Sequence, residues 1–329
     1  YMALSGYGVW ALVGQRLTQV LINIVMAWGA VSWRPGLGTT TGHCREVFRY
    51  GGAVLGLRAA ELASIQVPSV IIGATLGPVA LGLFSMAWRL VEIASFLIVT
   101  PLRMAAQPAF AAMRRSGTGA SELLLDISRL SGLVAFPVFA GLSVLASPII
   151  ALLLGPKWLE AAPILSIISV LGTYFCIEKI HQAFCLAAGR AGPTALVAWL
   201  EVALSALLVW GLSPWGGTAM SAGIVLAFLI FWSARFGIVA AAAGISHWAL
   251  AKCHIAPFLA ASIMAASVAL LVRYLDGFSP LMTVVFGAAF GVAIFGALTM
   301  AFMKDRLKIL MQFVGKPPHD NETNDLPKT

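Results

Sequence analysis

The amino-acid sequence predicts an all-α polytopic membrane protein with about nine transmembrane helices. Hydrophobic residues make up 60% of its 329 positions and charged residues only 10%, against roughly 25% charged in a soluble domain. Mean hydropathy is +0.92. Apolar runs near twenty residues long recur along the whole chain, and about twenty residues suffice for a helix to cross a bilayer. The sequence shows none of the alternating segments, about ten residues long, that mark a membrane β-barrel. An ordinary cytosolic enzyme, a disordered chain, a disulfide scaffold and a coiled coil are all excluded.

Nine spans are expected, at 9–31, 50–72, 79–101, 131–154, 162–185, 193–213, 217–240, 252–272 and 280–303. Each lies between Gly, Pro or charged residues, as at Trp33-Arg34-Pro35-Gly36, Leu76-Gly77-Pro78 and Ala191-Gly192-Pro193. Such residues stop a helix or turn the chain. Pro68 is expected to break the second span, with Pro101, Pro108 and Pro137 interrupting or flanking others. Kinked helices of this kind can line a cavity. Trp33, Trp158, Trp210, Trp215 and Trp248 fall at span ends, as interfacial anchors do. The tail at 315–329 has no apolar run and reads as disordered. The chain opens YMALSGYGVW, already apolar and without a signal peptide, which predicts an internal start with a preceding piece missing.

Charge sets the expected sidedness. The net charge is +8. Fifteen basic residues fall on one side: Arg34, Arg45, Arg49, Arg103, Arg114, Arg115, Arg129, Arg190, Arg235, Lys252, Lys304, Arg306, Lys308, Lys316 and Lys328. Only Lys157 and Arg273 fall on the other, and Arg16, Arg58, Arg89 and Lys179 lie inside spans. Lys and Arg gather in cytoplasmic loops, so the first group is cytoplasmic and the excess charge describes topology, with no call for nucleic acid. The longest loop, about 102–130, is then cytoplasmic, and the short external loops leave no room for a catalytic domain.

The polar residues within the spans are the candidate functional residues, because a charge at mid-bilayer costs roughly 2.5–3.5 kcal/mol on insertion scales. Gln15, Gln19 and Asn23 recur every four residues on one face of the first span, with Arg16 beside them. Interhelical hydrogen bonding accounts for the amides; Arg16 is expected to face water or a ligand, with snorkelling toward the interface as the alternative. The second span carries Arg58 and Glu61 and the third Arg89 and Glu92, each pair three apart and so adjacent on a helix. They read either as self-neutralising pairs or as a hydrated cavity whose arginines exchange a glutamate for an anionic substrate. A guanidinium forks onto phosphate oxygens, which suits the second role. In the fifth span Tyr174, Glu178, His181 and Gln182 share a face, with Lys179 turned aside. Glu178 and His181 are a proton relay or a satisfied polar patch. Glu201 stands alone in the sixth span, protonated or paired with Lys179 or Arg58.

The sequence carries no P-loop, HExxH, GxSxG or aspartate-rich metal motif. Cys44, Cys176, Cys185 and Cys253 show no CxxC pairing and read as small apolar residues. No cofactor, no metal and no enzymatic activity are therefore expected.

Several stretches resemble a known family. Gly6-Tyr7-Gly8-Val9-Trp10-Ala11-Leu12-Val13 with Gln15, then Trp33-Arg34-Pro35 and Phe48-Arg49-Tyr50-Gly51, look like the polysaccharide-transporter (Wzx-type) oligosaccharide flippases of the MATE-like superfamily. So do Val70-Ile71-Ile72-Gly73-Ala74-Thr75-Leu76-Gly77 and Ala80 to Leu90, followed by Phe136-Pro137, Leu154-Gly155-Pro156-Lys157-Trp158 and Ala161 to Leu165. The match covers about residues 6–190; the last four spans agree by hydropathy alone.

The resemblance implies two six-helix lobes around a central cavity. On that plan 1–33 holds the last helix of the first lobe, 34–49 a cytoplasmic linker and 50–245 the second lobe. Residues 246–303 would be two additional helices and 304–329 a cytoplasmic tail, leaving nine helices of a fourteen-helix plan. The implied substrate is an undecaprenyl-diphosphate-linked oligosaccharide, an exopolysaccharide or O-antigen precursor, turned across the bacterial inner membrane by alternating access. Membrane lipids, a polysaccharide polymerase and a chain-length regulator are the implied partners. Arg16, Arg58 and Arg89, with Gln15, Gln19 and Asn23, would hold the substrate. Glu61, Glu92, Glu178, His181 and Glu201 would balance charge or carry protons. Relatives commonly have Asn and Asp before the Ile-Gly motif where this chain has Gln66 and Pro68; if that Asp serves ion coupling, this chain cannot use it there. A MATE-like multidrug or metabolite antiporter is the alternative on the same fold, and a membrane polymerase or ligase the alternative of another class.

Overall fold

The structure is a computed structural model that describes residues 9–30, 41–116, 119–275 and 277–302. Among these residues it is helical throughout, with no strand. The helices are α1 (Val9–Ala30), α2 (Thr41–Ser116), α3 (Ala120–Val144), α4 (Ala146–Leu153), α5 (Ala162–Ala187), α6 (Ala191–Gly211), α7 (Gly216–Ala243), α8 (His247–Tyr274) and α9 (Pro280–Phe302). The chain divides into two compact units, Tyr1–Phe48 and Arg49–Thr329.

Among the described residues, seven helical stretches are long and apolar enough to cross a membrane. One of them, Tyr50–Pro101, is 52 residues long and contains both the second and the third expected spans. In α1 the apolar sequence is interrupted by Gln15, Arg16, Gln19 and Asn23. Large apolar side chains such as Leu62, Leu207, Phe258 and Val292 are exposed on the surface, where a soluble protein would not tolerate them in such number. The protein is a multi-pass membrane protein.

The break in α2 lies at Gly77, not at Pro68. Gly77 has φ 85° and ψ −179° and is the one non-helical residue inside this helix; a side chain at such a φ would be strained. It divides α2 into a first limb ending at 76 and a second beginning at 78. A Cβ on Gly73 would stand 3.1 Å from Leu81 Cδ2, so the limbs approach closely beside the turn. The helices run on through Pro68, Pro101, Pro108 and Pro137. Membrane helices accommodate proline because neighbouring groups take up the freed carbonyl.

The fourth expected span also shifts. The helix α3 starts at Ala120, well before 131, and gives way at Leu145 to the short α4. Its first turns carry Glu122, Asp126 and Arg129, which hydropathy alone reads as loop. They are helical nonetheless, and Arg129 donates to Asp126 at 2.7 Å one turn back.

The second unit is organised around α5, which is buried along most of its length, its polar residues Glu178, His181 and Gln182 included. It packs between α3 and α7; α6 lies against α7, α8 against α3, and α9 against α8 and α4. Phe84, Trp88 and Val91 of the second limb of α2 join the core formed by Leu165, Ile168 and Leu171 of α5 and Ile224 and Phe228 of α7. Leu57 and Ala60 of the first limb pack with Ala195 and Ala198 of α6, where Trp199 Nε1 donates to the Gly56 carbonyl at 3.1 Å.

Close approach of α3 and α5 depends on Gly172. A Cβ there would lie 2.0 Å from Phe139 Cε1, and Phe139 is itself buried. Gly172→Ala is expected to destabilise the protein by about 1–3 kcal/mol, the usual cost of overpacking a filled core. Gly141→Ala in α3, where nothing lies within 4 Å, is the matched control. Thermal unfolding of the purified protein in detergent should separate the two.

Candidate functional site

A cavity of about 520 Å³ opens between the two limbs of α2 and helices α5, α6 and α7. Its apolar wall includes Trp88, Phe96, Phe175 and Phe228. Its charged and amide groups come from all five: Arg58 and Glu61 on the first limb, Glu92 on the second, Glu178, Lys179 and Gln182 on α5, Glu201 on α6 and Arg235 on α7. They form two clusters that share the cavity and differ in accessibility.

The accessible cluster centres on Glu61. Arg58 Nη1 donates to its Oε2 at 2.7 Å, one turn back on the same limb. Lys179 Nζ and Gln182 Nε2, both from α5, donate to its Oε1, the amide at 2.9 Å. The Arg58, Lys179 and Glu61 side chains are 46%, 28% and 22% exposed. Two cations therefore share one carboxylate.

The deep cluster centres on Arg235 of α7. Its Nε donates to Glu201 Oε1 at 2.6 Å and its Nη2 to Glu201 Oε2, a two-pronged contact with α6. Its Nη1 donates to Glu178 Oε1 of α5. The Tyr174 hydroxyl donates to Glu201 Oε1 at 2.8 Å, and the Tyr174 ring stacks edge-on against Phe228 and Trp232. These side chains are nearly sealed from solvent, Arg235 at 7%, Glu178 at 9% and Glu201 at 2%. Two carboxylates here share one cation, the mirror image of the Glu61 cluster.

A second cavity of about 410 Å³ lies between the limbs of α2, lined by Gln66, Ser69, Ser85, Arg89 and Glu92 and adjoining the first at Ile65, Trp88 and Glu92. Arg89 Nη1 donates to Glu92 Oε2 at 2.6 Å, with both side chains more than half exposed.

The structure thus forms both Arg-x-x-Glu pairs and brings Glu61, Glu92, Glu178, Glu201 and Arg58 to one cavity, with Arg89 beside it. It departs from the sequence expectation at three points. Glu201 is paired, with Arg235 and Tyr174 rather than with Lys179 or Arg58. Lys179 is not turned aside but joins Gln182 on Glu61. Glu178 and His181 form no relay: Glu178 goes to Arg235, while His181 Nε2 lies 3.0 Å from Ser128 Oγ of α3 and its ring packs on Phe236 and His254. Positions 178 and 181 are offset by about 60° around the helix axis and most of a turn along it, enough to give the two side chains different neighbours. Arg16 donates to Gln19 at 3.2 Å within α1. That helix and its Gln15 and Asn23 belong to the other unit.

Arg235 is the residue that counting charges by side misses, because that count assigned it to the basic group outside the spans. Depth was the available signal. Glu178 and Arg235 lie nine and eight residues before the ends of α5 and α7, and Glu201 ten after the start of α6. At about 1.5 Å per residue all three sit about 12–15 Å from the same end of the bundle.

The fold and site thus define an all-helical membrane protein with an ion-paired internal cavity, and the sequence comparisons add the family. Residues 1–163 match the family described as "Polysaccharide biosynthesis protein". The chain is similar to the teichuronic acid biosynthesis protein TuaB of Bacillus subtilis, 26% identical over 196 residues that are 58% of this chain and 41% of that protein. The succinoglycan biosynthesis transport protein ExoT of Rhizobium meliloti is 24% identical over 51% of this chain and 34% of its own length. The amylovoran biosynthesis protein AmsL of Erwinia amylovora is 25% identical over 56% and 48%. The chain thus matches less than half the length of each of these relatives. The similarity agrees with the resemblance to polysaccharide transporters read from the motifs.

Arg235→Gln would leave two carboxylates buried without a cation. Breaking a buried ion pair from one side costs about 3–5 kcal/mol, so this variant should unfold at markedly lower temperature in detergent. Glu201→Gln leaves Arg235 balanced by Glu178 and should cost clearly less. Equal losses in the two variants would contradict this assignment.

Proposed function

We propose that this protein is part of a non-enzymatic exporter that moves an undecaprenyl-diphosphate-linked oligosaccharide across the bacterial inner membrane by alternating access. The observation that carries the reading is the Glu61 cluster: two accessible cations over one carboxylate, inside a cavity of a chain whose relatives are named for polysaccharide biosynthesis. A diphosphate needs clustered donors, and an Arg with a Lys supplies both the fork and the point charge. The glycan needs a hydrated path past polar walls, while the lipid tail stays in the bilayer. Arg58 and Lys179 hold the diphosphate in this reading, and Arg89 receives it from the adjoining cavity. The deep cluster around Arg235 is a fixed wall that no substrate group needs to enter.

An antiporter for organic cations is the second reading, favoured by one observation. Four carboxylates (Glu61, Glu92, Glu178, Glu201) line the main cavity against three cations (Arg58, Lys179, Arg235). That surplus disappears once Arg89, bonded to Glu92 from the adjoining cavity, is counted.

The readings separate by mutation. In a strain whose polymer export depends on this protein, Arg58→Ala and Lys179→Ala should each lower export by about tenfold or more, the equivalent of one charge-assisted hydrogen bond. The double variant should abolish export. Intact export in the double variant at normal protein levels would dismiss the diphosphate assignment.

A further inference from the structure

The Glu61 cluster supports a mechanistic statement that rests on the reading above and goes beyond it. We infer that the Glu61 carboxylate is an internal stand-in for the substrate's anionic group: it occupies the place on Arg58 and Lys179 that a phosphoryl group takes, and a phosphate-bearing ligand binds by displacing it.

Three features of the geometry lead there. Glu61 uses both carboxylate oxygens and draws donors from two helices, Arg58 on its own limb and Lys179 and Gln182 on α5. A phosphoryl group presents the same kind of converging oxygens. Two cations against one carboxylate leave a positive charge over, so a dianionic group satisfies the pair better than Glu61 does. Accessibility also singles out this cluster as exchangeable: its side chains are 22–46% exposed, whereas those around Arg235 are 2–9% exposed.

The other charged groups of the cavity are engaged elsewhere. Glu92 is held by Arg89, and Glu178 and Glu201 by Arg235. Because the contact spans the first limb of α2 and α5, displacing Glu61 also removes the ionic bridge between those two helices. The ligand would then loosen one wall of its own cavity as it binds.

The inference separates from a purely structural role for Glu61 by the sign of one mutation. Removing a stand-in strengthens binding of the true ligand; removing a structural residue weakens it. Purified protein in lipid nanodiscs is titrated with farnesyl diphosphate, as a lipid diphosphate, and with inorganic pyrophosphate, as the free anion. Glu61→Gln, which keeps the shape and loses the charge, is expected to bind the lipid diphosphate about tenfold tighter than the wild type, while Arg58→Ala and Lys179→Ala bind it more weakly. Glu61→Asp, one methylene shorter, is the second variant and is expected to bind more tightly by a smaller factor; it decides the matter if Glu61→Gln does not fold.

A gain with farnesyl diphosphate alone supports displacement by a lipid headgroup, and a gain with both probes supports displacement by any diphosphate. Wild-type binding that Glu61→Gln and Glu61→Asp leave unchanged or weaken overturns the inference and leaves the transport reading standing. Absence of binding of either probe to the wild type and to both Glu61 variants overturns the inference and the diphosphate reading together.

Discussion

A charge inside a bilayer has to be neutralised where it sits, and the second unit of this protein is arranged around that constraint. Arg235 reaches Glu201 with two nitrogens and Glu178 with a third, tying α5, α6 and α7 together at one depth. Leaving any of these ions unpaired in a low-dielectric interior costs several kcal/mol. The three helices are therefore held in one rotational setting as much by charge matching as by apolar packing. Tyr174 adds a hydrogen bond to Glu201 and fills the space beside it with its ring.

Fixing that setting has consequences for the rest of the cavity. Once Glu178 faces Arg235, the next residue of α5, Lys179, points toward the first limb of α2 and meets Glu61. Gln182, one turn on, faces the same way. The two clusters are thus produced by one helix, α5, with a surplus of one negative charge on the sealed side and one positive charge on the open side. This separation gives the cavity an internal polarity, with its accessible end cationic and its deep end anionic but saturated. The proposed handling of a diphosphate uses the first and leaves the second as framework.

The turn at Gly77 has a comparable role in the architecture. By folding α2 back on itself it places Arg58 and Glu61 on one wall and Arg89 and Glu92 on the facing one. Trp88 lines both cavities at their junction, packed edge-on against Phe175 of α5 at 5.8 Å.

Much of this was legible in the sequence, and the parts that were not have a common physical cause. Hydropathy and charge depend on each residue and its close neighbours along the chain. They located the apolar helices, the turn residues at Leu76-Gly77-Pro78, and the pairs Arg58–Glu61 and Arg89–Glu92, whose partners are one helical turn apart. Matching motifs over the first half pointed to the polysaccharide-transporter relatives. The start of α3 was hidden because Asp126 and Arg129 look like loop residues until their pairing on a helix is seen. The partners of Glu201, Lys179 and His181 were hidden because each is on another helix: Arg235, Glu61 and Ser128. The sequence by itself determined that this chain is helical, membrane-embedded and furnished with intramembrane charges. Only the tertiary structure decided which charges meet, since that depends on the depth and rotation of neighbouring helices, and neither quantity is written in any one stretch of residues.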